Sequence, residues 1–441
     1  MSHNKINMHA HFIPSFLVDC VHTIRAHGGE AFLVGGAVRD LLQGKIPLDF
    51  DLATNLLPTR ILEIFPYVLP TGLQHGTVSV WPSKKKQGKP VEITTYRIEK
   101  NYTDSRRPDR VEFVSDLEQD LARRDLTINA MAYDVLEQRL IDPFLGQHDL
   151  DQGIVRAVGD PVVRFSEDGL RSLRAIRFAV SLDFSIEPNT FLAIAHTLHH
   201  FSKVSYERVR DEWNKILTRA QTPGLALTWM RSSGMLNICM PELAHTKEPI
   251  WNSVLATLNE VCLLKLDPLL SWAALLLFES SLDNVAQILS RFKFSNQDKH
   301  LVMHWLRGVQ NYAKLPSLLS SEGQLRRFLK DIQVAQCDNF LALYQRYQYG
   351  FKGIDRSKEI ADLKQRLKEV LDHTQVLTLQ DLKISGRDLM LDLDLPPSPL
   401  LGSILNQLLE QVLDDQSLNQ KEKLLECARR LKIKWGAQVS T

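Results

Sequence analysis

Near residue 150 the hydrophobic period of the chain changes, and that change limits the possible fold more than any other feature. Between about residues 30 and 145, short β-rich runs (AFLVGG, LDFDLAT, GTVSVW, VEITTY, RLIDPF) alternate with helical patterns such as AVRDLLQG and PTRILEIF, as in an α/β domain. Beyond about 150 strand signals nearly vanish. RFSEDGLRSLRAIRFAVSL, ALTWMRSSGML, SWAALLLFESS, QLRRFLKDIQ, ADLKQRLKEVL and SILNQLLEQVL all carry apolar residues at helical spacing. The expected fold class is therefore an α/β N-terminal head with a mixed sheet, followed by an all-α extension. With 441 residues, two to four structural units fit: a head over 1–150, a helical segment over 151–215, a helical body over 216–350 and a C-terminal helical unit over 351–441.

A content of 44% hydrophobic and 24% charged residues excludes disordered and fibrous classes. The longest strongly apolar stretch, Pro268 to Phe278, is about half of the ~20 residues that cross a bilayer, so it reads as a buried helix. The N-terminal MSHNKINMHAHF lacks a basic region followed by an apolar run, so export is not expected and the cytoplasm is. The five cysteines, Cys20, Cys239, Cys262, Cys337 and Cys427, are scattered and never form Cys-x-x-Cys. They are expected to be buried small apolar residues rather than a disulfide framework or a zinc site. His196, His199 and His200 read as helix surface. A net charge of +1 neither requires nor excludes a nucleic-acid partner, since acidic surface elsewhere can offset a basic groove. The SKKKQGK stretch, Ser83 to Lys89, reads as a solvated hairpin tip.

In Leu48-Asp49-Phe50-Asp51-Leu52, strand alternation is expected to project Asp49 and Asp51 together while Leu48, Phe50 and Leu52 pack behind. Two carboxylates on one edge make a hard-oxygen site suited to Mg²⁺, although Asp-x-Asp also occurs in turns and exposed strands. Upstream, Phe32-Leu33-Val34 reads as a strand running into Gly35-Gly36 and then a helix carrying Arg39. Two glycines let backbone approach a triphosphate, while the helix start and Arg39 supply positive potential. Arg123-Arg124-Asp125 with Asn129 offers cationic, anionic and amide groups within two expected helical turns. Such a mixture can hold a ribose and its phosphates, or form a surface ion-pair patch.

These segments together resemble class II tRNA nucleotidyltransferases and their bacterial poly(A) polymerase relatives, within the polymerase-β superfamily. The resemblance rests on GGAVRD (Gly35 to Asp40) with LDFDLAT (Leu48 to Thr54). It continues through TGLQHGTVSV, VEITTYR, RRPDRVEF, RRDLTINAMAYD, IDPF, RFSEDGLRSLRAIRF and SYERVRDE, in that order, over about residues 30 to 215. It implies a polymerase-β-like nucleotidyltransferase head, a base-recognising neck, a body and a tRNA-binding tail. It also implies that Asp49 and Asp51 hold two Mg²⁺ ions, which serve an in-line displacement. Glu92 is a candidate third carboxylate or a structural anchor. Nucleotide contacts are implied for Gly36, Arg39, Arg124, Asp125 and Asn129.

In Glu167-Asp168-x-x-Arg171-x-x-Arg174-x-x-Arg177 the charges recur every third residue along one expected helix side, which is also the pattern of a solvated ion-paired face. Chemically, Asp168 can accept from an exocyclic amine while Arg171 donates to the adjacent ring nitrogen. Cytosine and adenine share that edge; guanine and uracil present a carbonyl beside an N–H. The resemblance implies that Asp168 and Arg171 act as a protein template, with Glu167 orienting the arginine and Arg174 and Arg177 reaching base or phosphates.

The implied activity is template-independent addition of C, C and A to the tRNA 3′ end from CTP and ATP. A-adding and CC-adding enzymes and bacterial poly(A) polymerases share the same head, and a silent RNA-binding protein is a further alternative. TGLQHGTVSV resembles the CCA-adding version, and the aspartates, the Gly-Gly turn, Arg-Arg-Asp and Glu-Asp-x-x-Arg all argue against a silent protein. The polar segment Thr95 to Arg110, with Asp104, Arg106, Arg107 and Arg110, is expected to be a mobile loop. The resemblance points to it as a lever that reshapes the base site between C and A. Near the C-terminus, Ser385-Gly386-Arg387-Asp388 has capping-box spacing, and LDLDLPPSPLLG departs from the family's glycine-rich version.

Overall fold

The computed structural model describes residues 9–85, 88–100, 110–220, 222–263, 267–312 and 319–438. It divides into two compact units, Met1–Thr246 and Lys247–Thr441.

The first unit opens with helix α1 (Ser15–Ala26), strand β1 (Ala31–Val34) and helix α2 (Gly36–Leu42). Strand β2 (Asp51–Thr54), helix α3 (Pro58–Ile64) and strands β3 (Val68–Gly72), β4 (Thr77–Val80), β5 (Val91–Thr95), β6 (Arg97–Lys100) and β7 (Arg110–Phe113) follow. Helix α4 (Leu117–Ala122) then precedes strands β8 (Ala132–Asp134) and β9 (Arg139–Ile141) and helix α5 (Gly146–Asp151). Among the described residues the main sheet has seven strands in the order β3-β4-β5-β2-β1-β8-β9. The β2–β5 pair is parallel and the other pairs are antiparallel, so the sheet is mixed, as in the expected fold class. Strand β1 reads as an apolar run because both its faces are covered: Ala31, Phe32, Leu33 and Val34 are all buried. SKKKQGK lies between the antiparallel β4 and β5; Lys84, Lys85 and Lys89 are exposed, as a solvated hairpin tip requires, while Lys86 and Gln87 lie outside the described residues.

Three local expectations need correction. Strand β2 begins at Asp51 rather than Leu48, because its partner β1 ends opposite it at Val34 and the chain there turns into α2, leaving Asp49 no ladder to join. Leu48 consequently is 62% exposed instead of packed behind the strand. The Arg-Arg-Asp segment does not continue a helix: α4 stops at Ala122, and Asn129 sits on a separate 3-10 turn, Thr127–Asn129. Asp168 is not on the helix that carries the arginines. It is the extended residue between α6 (Pro161–Glu167) and α7 (Leu170–Leu182).

After β10 (Ile154–Val155) the elements of the described residues are helical, apart from β11 (Ser185–Ile186), which pairs parallel with β10. Helices α8 (Pro188–His196), α9 (Leu198–Phe201) and α10 (Tyr206–Arg219) follow α7. Trp213 and Ile216 bury one side of α10, leaving its other side to carry charge. His196 and His199 are exposed on α8 and α9, consistent with helix surface.

In the second unit Trp272, Phe292, Trp305, Phe328, Phe340 and Tyr344 are fully buried. The Pro268–Leu275 helix is interior, as its apolar composition indicated. The Ser385 box is formed: Ser385 Oγ accepts from Asp388 N at 3.2 Å, and the Asp388 carboxylate accepts from Ser385 N at 2.9 Å. Cys20 and Cys239 are buried, whereas Cys337 and Cys427 are only half-buried, so the expectation of uniformly buried thiols fails at those two sites. No described helix is long and apolar enough to cross a membrane.

Candidate active site

The end of β1 and the start of β2 create the centre of the site. The chain leaves Val34 through Gly35, whose φ of +72° and ψ of −138° suit glycine alone. A Cβ built there would stand 3.1 Å from Arg124 Nη1 and 4.0 Å from Asp51 Oδ2, inside the space in front of the carboxylate. Asp51 is in register with Val34 on one side and Glu92 on the other. Burial, followed by the charge of Glu92, lifts its carboxyl to about 6, against the opposing pull of Arg124. Asp49 lies just ahead of the strand with an 85% exposed side chain, 4.0 Å from Lys89 Nζ.

Behind this edge a buried acid organises cations. Asp120 accepts from Arg123 Nη2 at 2.8 Å, from Arg124 Nη2 at 3.3 Å and from the Arg97 backbone N–H at 3.3 Å. Burial alone would raise its pKa, but Arg123 and Arg124 outweigh burial and hold it below the usual carboxylate range. Arg39 on α2 donates to Asn129 Oδ1 at 2.7 Å and stands 5.1 Å above the Phe178 ring. The separate 3-10 turn thus still brings Asn129 to the glycine turn.

Helix α7 supplies the facing wall. Arg174 Nε donates to Asp125 Oδ2 at 2.7 Å. This partnership outweighs burial and pushes the Asp125 carboxyl down to about 2. Arg171 Nη1 donates to Glu167 Oε2 at 2.5 Å, and Arg164 shares that acid at 2.8 Å. Arg177 is turned into a buried pair with Glu212 at 2.5 Å, and burial lowers its guanidinium to about 10. Asp168 faces α10, where Arg208 Nη2 and Nη1 reach its two oxygens at 2.7 and 3.2 Å.

Many of these groups line one cleft of about 770 Å³, with Asp120, Arg164 and Glu212 outside the lining. Gly35, Gly36, Arg39, Asp49, Asp51, Arg124, Asp125 and Asn129 come from the head, and Asp168, Arg171, Arg174 and Arg177 from the α6–α7 region. Glu167 stands behind Arg171, outside the lining. Asp104, Arg106 and Arg107 lie outside the described residues, as does the Arg110 side chain. Sequence reasoning missed Asp120, Phe178, Arg208 and Glu212. Arg208 and Glu212 sit within the SYERVRDE run at helical spacing, which was the available signal; Asp120 had none. The preponderance of arginine suits a polyanion such as a triphosphate or an RNA end.

Residues 31–156 match the poly(A) polymerase head domain, 183–246 the probable RNA- and SrmB-binding site of polymerase A, and 269–428 a putative tRNA nucleotidyltransferase domain 2. The CCA-adding enzyme of Lactococcus lactis subsp. lactis (strain IL1403) is 37% identical over 401 residues, covering 90% of this chain and 92% of that relative. That of Ligilactobacillus salivarius (strain UCC118) is 34% identical over 419 residues, covering 92% and 94%. The chain belongs to the CCA-adding enzyme family. The solved structure of the Bacillus stearothermophilus CCA-adding enzyme in complex with CTP matches this member with a TM-score of 0.79 at 26% identity, over 96% of this chain and 98% of the other. The Thermotoga maritima CCA-adding enzyme complexed with tRNA shares the fold, with a TM-score of 0.64 at 20% identity over 95% and 96%. As a CCA-adding enzyme, the chain is a nucleotidyltransferase of tRNA processing.

Proposed function

We propose that this CCA-adding enzyme attaches C, C and A to the tRNA 3′ end from CTP and ATP at the cleft around Asp51, using no nucleic-acid template. The observation that carries this reading is the meeting of Asp49, Asp51 and the glycine turn with Asp168 and Arg171 in one cleft. The CCA-adding relatives that span nine-tenths of the chain support complete addition over A-adding, CC-adding or poly(A) activity. Incubating the protein with Mg²⁺ and tRNAs lacking CCA, CA or A, each with one NTP, and sequencing the products tests it; addition of A alone or of unlimited A overturns it.

Asp49 and Asp51 would hold two Mg²⁺ ions, and the donor chemistry fits. Asp51 is a partly desolvated acid beside Glu92, and the burial and like charge that raise its carboxyl to about 6 would be offset by a bound cation. Among the described residues no three His, Cys, Asp or Glu side chains converge on one point, so the protein would supply few ligands and the substrate phosphates and water the rest, as Mg²⁺ prefers. When bound, such ions polarise the attacking and leaving oxygens of a nucleotidyl transfer. Gly35 and Gly36 leave room for the triphosphate, and Arg39, Arg124 and Asn129 are placed to orient phosphates and ribose. Asp168 accepts from the base amine while Arg171, braced by Glu167, donates to the ring nitrogen. Guanine or uracil would leave both charged groups mispaired, at about 1–3 kcal/mol each. Because its substrate is tRNA, we place the reaction in the cytoplasm, and we assign base recognition to 151–215, the body to 216–350 and tRNA gripping to 351–441.

Proton and cation compete for Asp51. A carboxyl raised to about 6 is neutral below that pH and charged above it, so its contribution to cation-free stability is greatest in acid and is lost as pH rises through about 6. The Mg²⁺ concentration giving half-maximal rate should accordingly fall as pH rises from 5 to 7 and then level off. A flat profile across that range contradicts the Asp51 assignment.

The segment Thr95 to Arg110 is the proposed lever between C and A addition; its ends are the paired strands β6 and β7 rather than loop, and 101–109 lie outside the described residues. Replacing Ile98 to Pro108 with a short Gly-Ser linker should preserve C addition and cut the final A at least about tenfold, because only the second base geometry needs an added constraint. Equal loss of both activities, or of neither, rules the lever out.

A further inference from the structure

Asp168 is held by a residue that the base-reading motif does not contain. Its Oδ1 accepts from the Leu170 backbone N–H at 3.0 Å and from Arg208 Nη1 at 3.2 Å, and its Oδ2 accepts from Arg208 Nη2 at 2.7 Å. The two arginine bonds form a planar fork, which fixes both the position of the carboxylate and the rotation of its plane. Arg208 arrives from α10, anchored independently by Trp213 and Ile216 in the core and by the Arg177–Glu212 pair that ties α10 to α7. The neighbouring template residue is braced differently, since Arg171 is held by Glu167 from its own segment. The two halves of the base reader therefore have separate supports, and the support of Asp168 lies 40 residues along the chain.

We propose that Arg208 is a specificity-determining positioning residue: its fork sets the plane of the Asp168 carboxylate so that a lone pair of Oδ2 meets the amine of cytosine or adenine. This rests on the reading of Asp168 as the base acceptor. Arg208 needs no contact with the nucleotide for this role. A carboxylate free to rotate about its side-chain bonds loses the directional match that penalises a carbonyl on guanine or uracil, and it can also turn away to admit water between itself and the wrong base. A cation without the fork supplies charge but not the plane, which separates orientation from simple charge balance.

The test measures kcat/KM for CTP, ATP, UTP and GTP singly on tRNAs lacking CCA or A, with Arg208→Gln, Arg208→Lys and Asp168→Ala beside the unaltered protein. Arg208→Gln should lower discrimination against UTP and GTP by about tenfold or more, the worth of a misdirected charge-assisted hydrogen bond, while the KM for tRNA is unchanged. Arg208→Lys should recover only part of that discrimination. If Asp168→Ala relaxes base choice and Arg208→Gln does not, the positioning role is overturned while the base-acceptor reading stands. If neither variant relaxes it, that reading fails and the proposal with it. Full recovery by lysine overturns the orientation argument, and a proportional loss with all four nucleotides marks a structural role only. Should Arg208→Gln not fold, as judged by its thermal transition, Arg208→Lys alone decides the matter: discrimination equal to the unaltered protein overturns the proposal.

Discussion

Asp51→Ala is expected to reduce addition of every nucleotide by about a thousandfold or more, with tRNA affinity and thermal stability close to those of the unaltered protein. The size follows from removing the ligand whose ions stabilise both ends of an in-line displacement, a contribution of several kcal/mol that nothing else in the cleft can replace. Stability should hold because the carboxyl is not part of a packed core. Burial and the neighbouring Glu92 already disfavour its charged form, so deleting it relieves a cost, and a change within about 1 kcal/mol is expected. Asp49→Ala should lose activity to a similar degree with even less effect on folding, since that side chain is 85% exposed. Single-turnover assays with CTP and ATP, paired with thermal melts and tRNA binding, check both variants. Substantial C or A addition by either one would end the metal assignment.

Asp168→Ala and Arg171→Ala are expected to change which base is added more than how tightly tRNA is held. Each deletes half of the proposed edge readout, so UTP and GTP should gain on CTP and ATP by about ten- to a hundredfold, the span of one to two mispaired polar groups. The two variants should differ in their collateral effects. Removing Arg171 frees Glu167 from a 2.5 Å bond but leaves it paired with Arg164. Removing Asp168 leaves Arg208 without the acid that both its Nη atoms reach. Arg171→Ala is thus the milder for stability. Activity that falls with an unaltered order of base preference would reduce this pair to a structural ion-pair cluster.

The alternation of short apolar strands with helices, and its end near residue 150, was enough to determine an α/β head and a helical remainder. Periodicity is a local property that survives any arrangement of the elements. The Gly-Gly turn, the Asp-x-Asp run and the Arg-Arg-Asp and Glu-Asp-x-x-Arg segments were likewise legible as types of chemistry, because the residues concerned are near neighbours in the chain. Their geometry was not. Asp49 stands off the strand because β1 turns away after Val34, a limit set by the partner strand rather than by Leu48 to Leu52 themselves. Asn129 reaches Arg39 from a 3-10 turn across 90 residues of chain, and Arg177 lines the cleft while paired with Glu212. Asp120 carried no recognisable signal as an anchor of the cationic cluster, and the SYERVRDE run that held Arg208 did not mark it as a clamp on Asp168, since a buried acid and a helical arginine acquire those roles only when distant elements pack against them. The sequence by itself determined many of the side chains that the protein brings to the cleft. Tertiary structure decided which of them face the cleft, which hold the others in place, and how far burial shifts their charge, because desolvation and partner choice depend on contacts that no local spacing encodes.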